Sequence, residues 1–300
     1  MIKVTIDGYD YSMPERYSEL TPEQQIDFAT ALKLETNFDS ARTRIALSLL
    51  GLTVLKKRPI YRYKGEWKRF DADEVPAEAV RYFYVAHGVT RVHLLSGIDL
   101  LPLLEAVNEL FTVNKKSGVV SPRLRSATPI PFIRLRWGKL NSYAQGLTDF
   151  TFNDFIDCET YLAQFYDGDS LSLYRLIARA YGRDWQKVVS EEKIEKLAAK
   201  IEKNISPMVA DAIRMNYEGQ KVFLYDKFDK VLAGGSGEEV LSADAVFDNY
   251  CRLVATLGGG NPAEHEKIKN TFLYDALYAL DERMRQIEIN TMAAHGTSGI

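Results

Sequence analysis

Thr148-Asp149-Phe150-Thr151-Phe152-Asn153-Asp154-Phe155-Ile156-Asp157-Cys158-Glu159-Thr160-Tyr161-Leu162 is where the chain changes character. Thr151 can cap a helix, and Asp154 falls in its first turn, where the helix dipole favours negative charge. Phe152, Phe155, Ile156, Leu162, Phe165 and Tyr166 recur at helical spacing, and the first five are expected to be buried. Asp154, Asp157, Cys158 and Glu159 read as cap, solvated face and core. Asp167-Gly168-Asp169 ends this helix. Asp169 or Ser170 caps a second one, with Leu171, Tyr174, Ile177, Ala178 and Tyr181 inward as far as Gly182. The pair predicts an αα-hairpin.

Helical periodicity continues downstream. Ser190-Glu191-Glu192 opens a helix with Ile194, Leu197, Ala198 and Ile201 inward, and Ser206-Pro207 opens the next. Whether that helix runs past Gly219 to Val231 is open from the sequence. Ser242 caps a helix with Val246, Phe247, Tyr250, Cys251 and Val254 inward, and Asn261-Pro262 opens a last one through Met284. The small, polar tail after Asn290 is expected to fray.

Upstream, Asp7-Gly8 joins two alternating runs, a type I′ hairpin signal. Thr21 and Gln24 bracket Pro22 in a capping box, and the helix they open reaches about Leu34. A second helix is expected with Asp39 as its cap and Gly51 as its stop. Residues 52–55 and 60–63 read as strands, residues 76–87 as a short helix, and 99–111 as another. Residues 112–147 carry seven basic side chains and no acid, and Pro122, Pro129 and Pro131 exclude a continuous helix there. This region reads as a long arm ending in a strand, with Ile133, Leu135 and Trp137 inward and Arg134 and Arg136 outward. The fold class is therefore mainly α with minor β (α+β). The expected domains are 1–147, 148–290 and a tail at 291–300.

Residues 1–148 hold 21 Lys+Arg against 16 Asp+Glu, and residues 149–300 hold 17 against 25. Halves of opposite sign have different partners or meet each other. The two cysteines, Cys158 and Cys251, lie in apolar helical contexts and read as buried thiols of a reducing compartment. No apolar run reaches the roughly 18 residues of a membrane span, so a soluble protein is expected. The four histidines lack metal-ligand spacing, and Gly234-Gly235-Ser236-Gly237 lacks the lysine of a phosphate loop. The expectation is no catalytic residue, no metal and no cofactor.

The functional signal is basic charge interleaved with aromatic rings. Lys56, Lys57, Arg58 and Arg62 lie with Tyr61, Tyr63 and Trp67 in 52–70. Lys115, Lys116, Arg123, Arg125, Arg134 and Arg136 lie in 112–139. These ten side chains are the expected partner-binding residues. Basic charge suits an acidic protein surface, and basic charge with stacking rings also suits nucleic acid.

Pro14-Glu15-Arg16-Tyr17-Ser18-Glu19-Leu20-Thr21 and the central Thr151-Phe152-Asn153-Asp154-Phe155-Ile156-Asp157-Cys158-Glu159-Thr160-Tyr161 resemble motifs of bacteriophage and prophage tail-assembly or virion structural proteins. The matching stretches cover about a quarter of the chain and consist of caps and packing aromatics. The resemblance implies a non-enzymatic role in tail or virion assembly, as chaperone or structural component. The implied partners are phage structural or assembly proteins or a second copy of the chain. The implied location is the bacterial host cytoplasm or the virion, with nucleic-acid binding as the alternative function.

Overall fold

A computed structural model describes residues 1–55, 60–71, 74–89, 91–114, 119–125, 127–136, 138–182, 190–232, 242–258 and 261–296, the side chains of 262 and 291–296 apart. It is mainly helical with a minor strand component, and an N-terminal β-hairpin precedes the helices. The chain divides into two compact units, Met1–Arg123 and Leu124–Ile300.

In the first unit β1 (Ile2–Ile6) and β2 (Tyr9–Met13) form the expected hairpin. Asp7 and Gly8 take the positive φ values, 50° and 78°, that a type I′ turn requires. Helix α1 (Pro22–Leu34) starts with the Thr21–Gln24 capping box. Helix α2 (Phe38–Leu49) is capped by Asn37 rather than Asp39, because the Asn37 amide oxygen accepts from the Ser40 N–H.

The expected helix over 76–87 is instead β6 (Val80–His87), the centre of an antiparallel sheet. One edge of β6 pairs with β7 (Arg91–Ser96). The other pairs in tandem with β3 (Leu52–Val54) and β4 (Ile60–Tyr63), and β4 continues to β5 (Glu66–Lys68). Aromatic and β-branched side chains dominate Val80-Arg81-Tyr82-Phe83-Tyr84-Val85, and ladders on both edges decide for strand over helix. Helix α3 (Gly97–Asn108) follows, then the short hairpin β8 (Phe111–Val113) and β9 (Val120–Pro122). Tyr17, Phe28, Ile45, Val85, Val107 and Leu110 fill this core.

The second unit begins inside the expected arm. The described residues of 124–147 are packed rather than forming a free arm: Ala127, Ile130, Ile133, Tyr143 and Leu147 are buried. Strands β10 (Phe132–Leu135) and β11 (Gly138–Asn141) make a second hairpin, with Ile133 buried and Arg134 exposed as expected. Tyr181 donates to the Ile130 carbonyl, and the Gln220 side chain donates to the Ala127 carbonyl and accepts from the Gly146 N–H. The boundary therefore falls after Arg123 and not at 147. Residues 1–123 hold 17 Lys+Arg against 16 Asp+Glu, and 124–300 hold 21 against 25, so the charge contrast between units is slight.

Helices α4 (Phe152–Tyr166) and α5 (Ser170–Tyr181) form the αα-hairpin, with α4 opened by the Thr151–Asp154 capping box. Phe152, Phe155, Ile156 and Leu162 are buried, while Phe165 is half-buried and Tyr166 exposed next to the turn that joins the two helices. Helix α6 (Glu191–Glu202) buries Ile194, Ala198 and Ile201. Helix α7 (Pro207–Lys227) runs unbroken through Gly219 and is followed by α8 (Asp229–Leu232). A Cβ on Gly219 would lie 2.0 Å from the Leu124 carbonyl oxygen and 2.6 Å from the Ala127 Cβ, so glycine there admits the 124–127 backbone. Helix α9 (Ala243–Leu257) buries Tyr250 and Val254 but leaves Phe247 exposed and Cys251 half-buried.

The expected last helix is two. Helix α10 (Pro262–Lys269) stops at Asn270, and α11 (Leu273–Gly296) starts afresh and continues to Gly296, into the tail expected to fray. The break is held by a bridge: the Phe152 N–H donates to the Thr271 carbonyl and the Leu273 N–H to the Phe150 carbonyl. Among the described residues no helix is long and apolar enough to cross a membrane.

Candidate functional site

Of the basic–aromatic pattern of residues 52–70, Arg62 and Trp67 share one face of the first unit's sheet, while Tyr61 and Tyr63 fall on the other. Side chains alternate across a strand, so the ladder partners of Tyr82 share its face. Ile60 pairs with Tyr82, Arg62 with Val80 and with Trp67, and Tyr84 with Leu94. The opposite face carries Tyr61, Val85, His93 and Leu95 into the core. On the open face Trp67 is 51% exposed, and its ring meets Tyr82 edge-on at 4.8 Å. The Arg62 guanidinium stands 5.9 Å from the Trp67 ring centre. A cation over a half-exposed indole is an arrangement that a partner can complete.

A second basic–aromatic element is the β10–β11 hairpin of the other unit. Phe132 is 40% exposed, and Arg134 and Lys139, paired across the ladder, stand 5.6 and 5.7 Å from its ring. The other described residues of the expected set have partners within their own units. Arg123 pairs with Glu109 at 3.4 Å within the first unit, and Arg125 with Asp226 at 2.9 Å within the second. The Arg136 backbone N–H donates to Asn204 Oδ1. Lys56, Lys57, Arg58, Lys115, Lys116 and Trp137 lie outside the described residues.

Three buried polar networks escaped the sequence reading. Arg179, only 5% exposed, sits between Asp154 at 3.1 Å and Asp157 at 2.9 Å. Burial raises the Asp157 carboxyl to about 6, against the opposing pull of Arg179. Glu159, also 5% exposed, accepts from Tyr217 Oη at 2.9 Å and pairs with Lys221 Nζ at 2.7 Å. Tyr225 and Tyr250 extend this cluster. Burial works against the Lys221 ammonium, yet Glu159 holds its pKa above the ordinary lysine value. Glu159 is thus not part of a solvated face, and Asp157, its side chain 31% exposed, is tied to the buried Arg179. Cys158, enclosed between the networks, has its thiol pushed well above the usual range by burial and then by Asp154, which disfavours a thiolate nucleophile.

The third network joins the N-terminal hairpin to the sheet. Buried His93 shares a hydrogen bond of 2.5 Å with Tyr11 Oη and one of 2.8 Å with Asp7 Oδ2. Its two ring nitrogens are thereby both engaged, as a neutral imidazole that donates to Asp7 and accepts from Tyr11 allows. Among the described residues no group of three or more His, Cys, Asp or Glu is placed to hold a metal ion.

Protein-family models, curated proteins and solved structures provide no match to this chain. The likeness to phage tail and virion proteins stands on its sequence motifs alone.

Proposed function

We propose that this protein works without catalysis, by docking to other proteins through exposed basic–aromatic hairpins. The setting is the one its motifs suggest: tail or virion assembly of a phage or prophage, in the host cytoplasm or the particle. The observation that carries the docking is Phe132, 40% exposed beside the Arg134–Lys139 pair. Aromatic rings and arginine dominate the energetics of interface centres, and flanking cations select an acidic partner. The test is affinity capture of the tagged chain from induced lysogens, with co-purifying proteins quantified by mass spectrometry. Structural or assembly proteins of the phage should be enriched, and Phe132→Ser with Arg134→Glu should lose them without loss of thermal stability. Enrichment unchanged by that pair of substitutions would refute the hairpin as the docking element.

A second reading, single-stranded nucleic acid, is favoured by Arg62, Trp67 and Tyr82 on one open sheet face. Bases stack on such rings while cations meet phosphates. It requires an affinity that falls steeply with salt and drops in Trp67→Ala. Binding insensitive to both removes it.

A further inference from the structure

The first unit has a groove unrelated to the basic faces. It is an open cleft of about 720 Å³ between helix α2 and strand β3, lined on the helix by Ser40, Thr43, Arg44 and Leu47. Those positions recur at the three- and four-residue spacing of one helix face, and the opposite face of α2 buries Ala41, Ile45, Ala46 and Leu49. The other wall is β3 itself.

The hydrogen-bond alternation of β3 fixes which way its backbone points. The Leu55 N–H donates to the Tyr84 carbonyl, and Thr53 is opposite Ala86, so residues 53 and 55 direct their N–H and C=O groups toward β6. Leu52 and Val54 then direct theirs away from it. Among the described residues no strand pairs with that second edge. Val54 is 48% exposed whereas Leu52 is buried, so the open part of this edge is at Val54. The result is a strand edge facing a helix across an open cleft, the geometry in which an extended peptide adds as a further strand.

The charge of the cleft selects the peptide. Asp27, Glu35 and Asp39 line the cleft with one described cation, Arg44, which Glu35 engages at 3.1 Å, while the exposed Asp39 pairs with Arg42 of the same helix. Ser48 Oγ donates to Asp27 at 2.6 Å, which orients that carboxylate in the wall. We infer that the cleft between α2 and β3 binds an extended peptide segment of another protein by strand addition along β3, with lysine or arginine side chains of the peptide facing Asp27, Glu35 and Asp39. This surface is separate from the basic hairpins and stands or falls independently of them.

Selection of randomised linear peptides on the full-length protein tests it, preceded by hydrogen exchange of the free protein. The Val54 amide should exchange fast in the free chain. If it is already protected, the chain covers its own edge and the inference is overturned; Lys56, Lys57 and Arg58, which follow β3, lie outside the described residues. Selected peptides should be rich in lysine or arginine at alternate positions and should protect the Val54 amide on binding. Val54→Pro removes an outward N–H that β6 does not use, so the sheet tolerates it while peptide affinity falls at least about tenfold. Thr43→Trp fills the cleft from the helix side and should give the same loss by a route independent of strand geometry. Asp39→Asn should weaken binding by up to about fivefold, in keeping with an exposed ion pair. A selection that returns no peptide, acidic peptides, or peptides indifferent to both Val54→Pro and Thr43→Trp overturns the inference.

Discussion

Arg179 and Glu159 carry the clearest mismatch between pattern and placement. Both stand inside apolar helical stripes: Glu159 between Phe155 and Leu162, Arg179 beside Leu176 and Ala180, and both are buried. The helical spacing that marked Phe152 and Phe155 as core marks Glu159 equally. A charged residue is usually solvated, and that prior hid a position that the periodicity had already placed. What the sequence could not supply is the partner, because Lys221 lies on a helix far along the chain. A buried ion pair broken on one side leaves an uncompensated charge. Arg179→Leu, which strands Asp154 and Asp157, should destabilise the second unit by about 3–5 kcal/mol in urea unfolding; a cost below about 1 kcal/mol would mean that the carboxylates reach water. Asp157 gives the pH signature. Its folded pKa of about 6 lies above the ordinary aspartate value of 3.8, so the folded chain holds this proton more tightly than the unfolded one. Stability should therefore fall as pH rises between those two values and level off above them. Asp157→Asn should flatten that segment of the urea-midpoint profile, and an unchanged slope would assign it to other groups.

Helix starts were the most legible elements. Thr21, Thr151, Ser206 and Ser242 all accept a backbone N–H where their sequences place a cap. Capping is local chemistry, so a window of four residues contains the information. β6 was not legible in that way. Apolar on both faces, it lacks the alternation that marks a half-buried strand, and its ladder partners lie up to 35 positions away, as in Leu52 with His87. Gly219 belongs between these cases. A glycine in mid-helix costs about 1 kcal/mol of propensity, so its presence in unbroken α7 asks for a reason, and the Leu124 carbonyl supplies one. Gly219→Ala gains propensity but drives a methyl into backbone. The expected outcome is a lowered Tm together with faster hydrogen exchange across 124–130. A raised Tm would mean that the 124–127 segment moves aside at little cost.

Charge drew the expected boundary at 147, whereas packing draws it after Arg123. The charge change at 148 is real in the sequence, but it separates a basic, proline-bearing strap from the acidic helices on which that strap packs. Tyr143 sits among Phe150, Tyr181 and Tyr217, and Tyr274 Oη donates to the Gly146 carbonyl. Removing the strap would expose these rings and leave the buried Gln220 amide without its Ala127 and Gly146 partners. An unsatisfied buried amide alone costs about 1–3 kcal/mol, and loss of the ring contacts adds to it. A fragment spanning 124–300 should therefore unfold cooperatively with native-like near-ultraviolet circular dichroism, while one spanning 148–300 should lose that signal or aggregate. Two fragments of equal cooperativity would restore the boundary at 147 and make the strap an appendage. Failure of both would mean that the second unit needs residues 1–123 to fold, which its own buried core argues against.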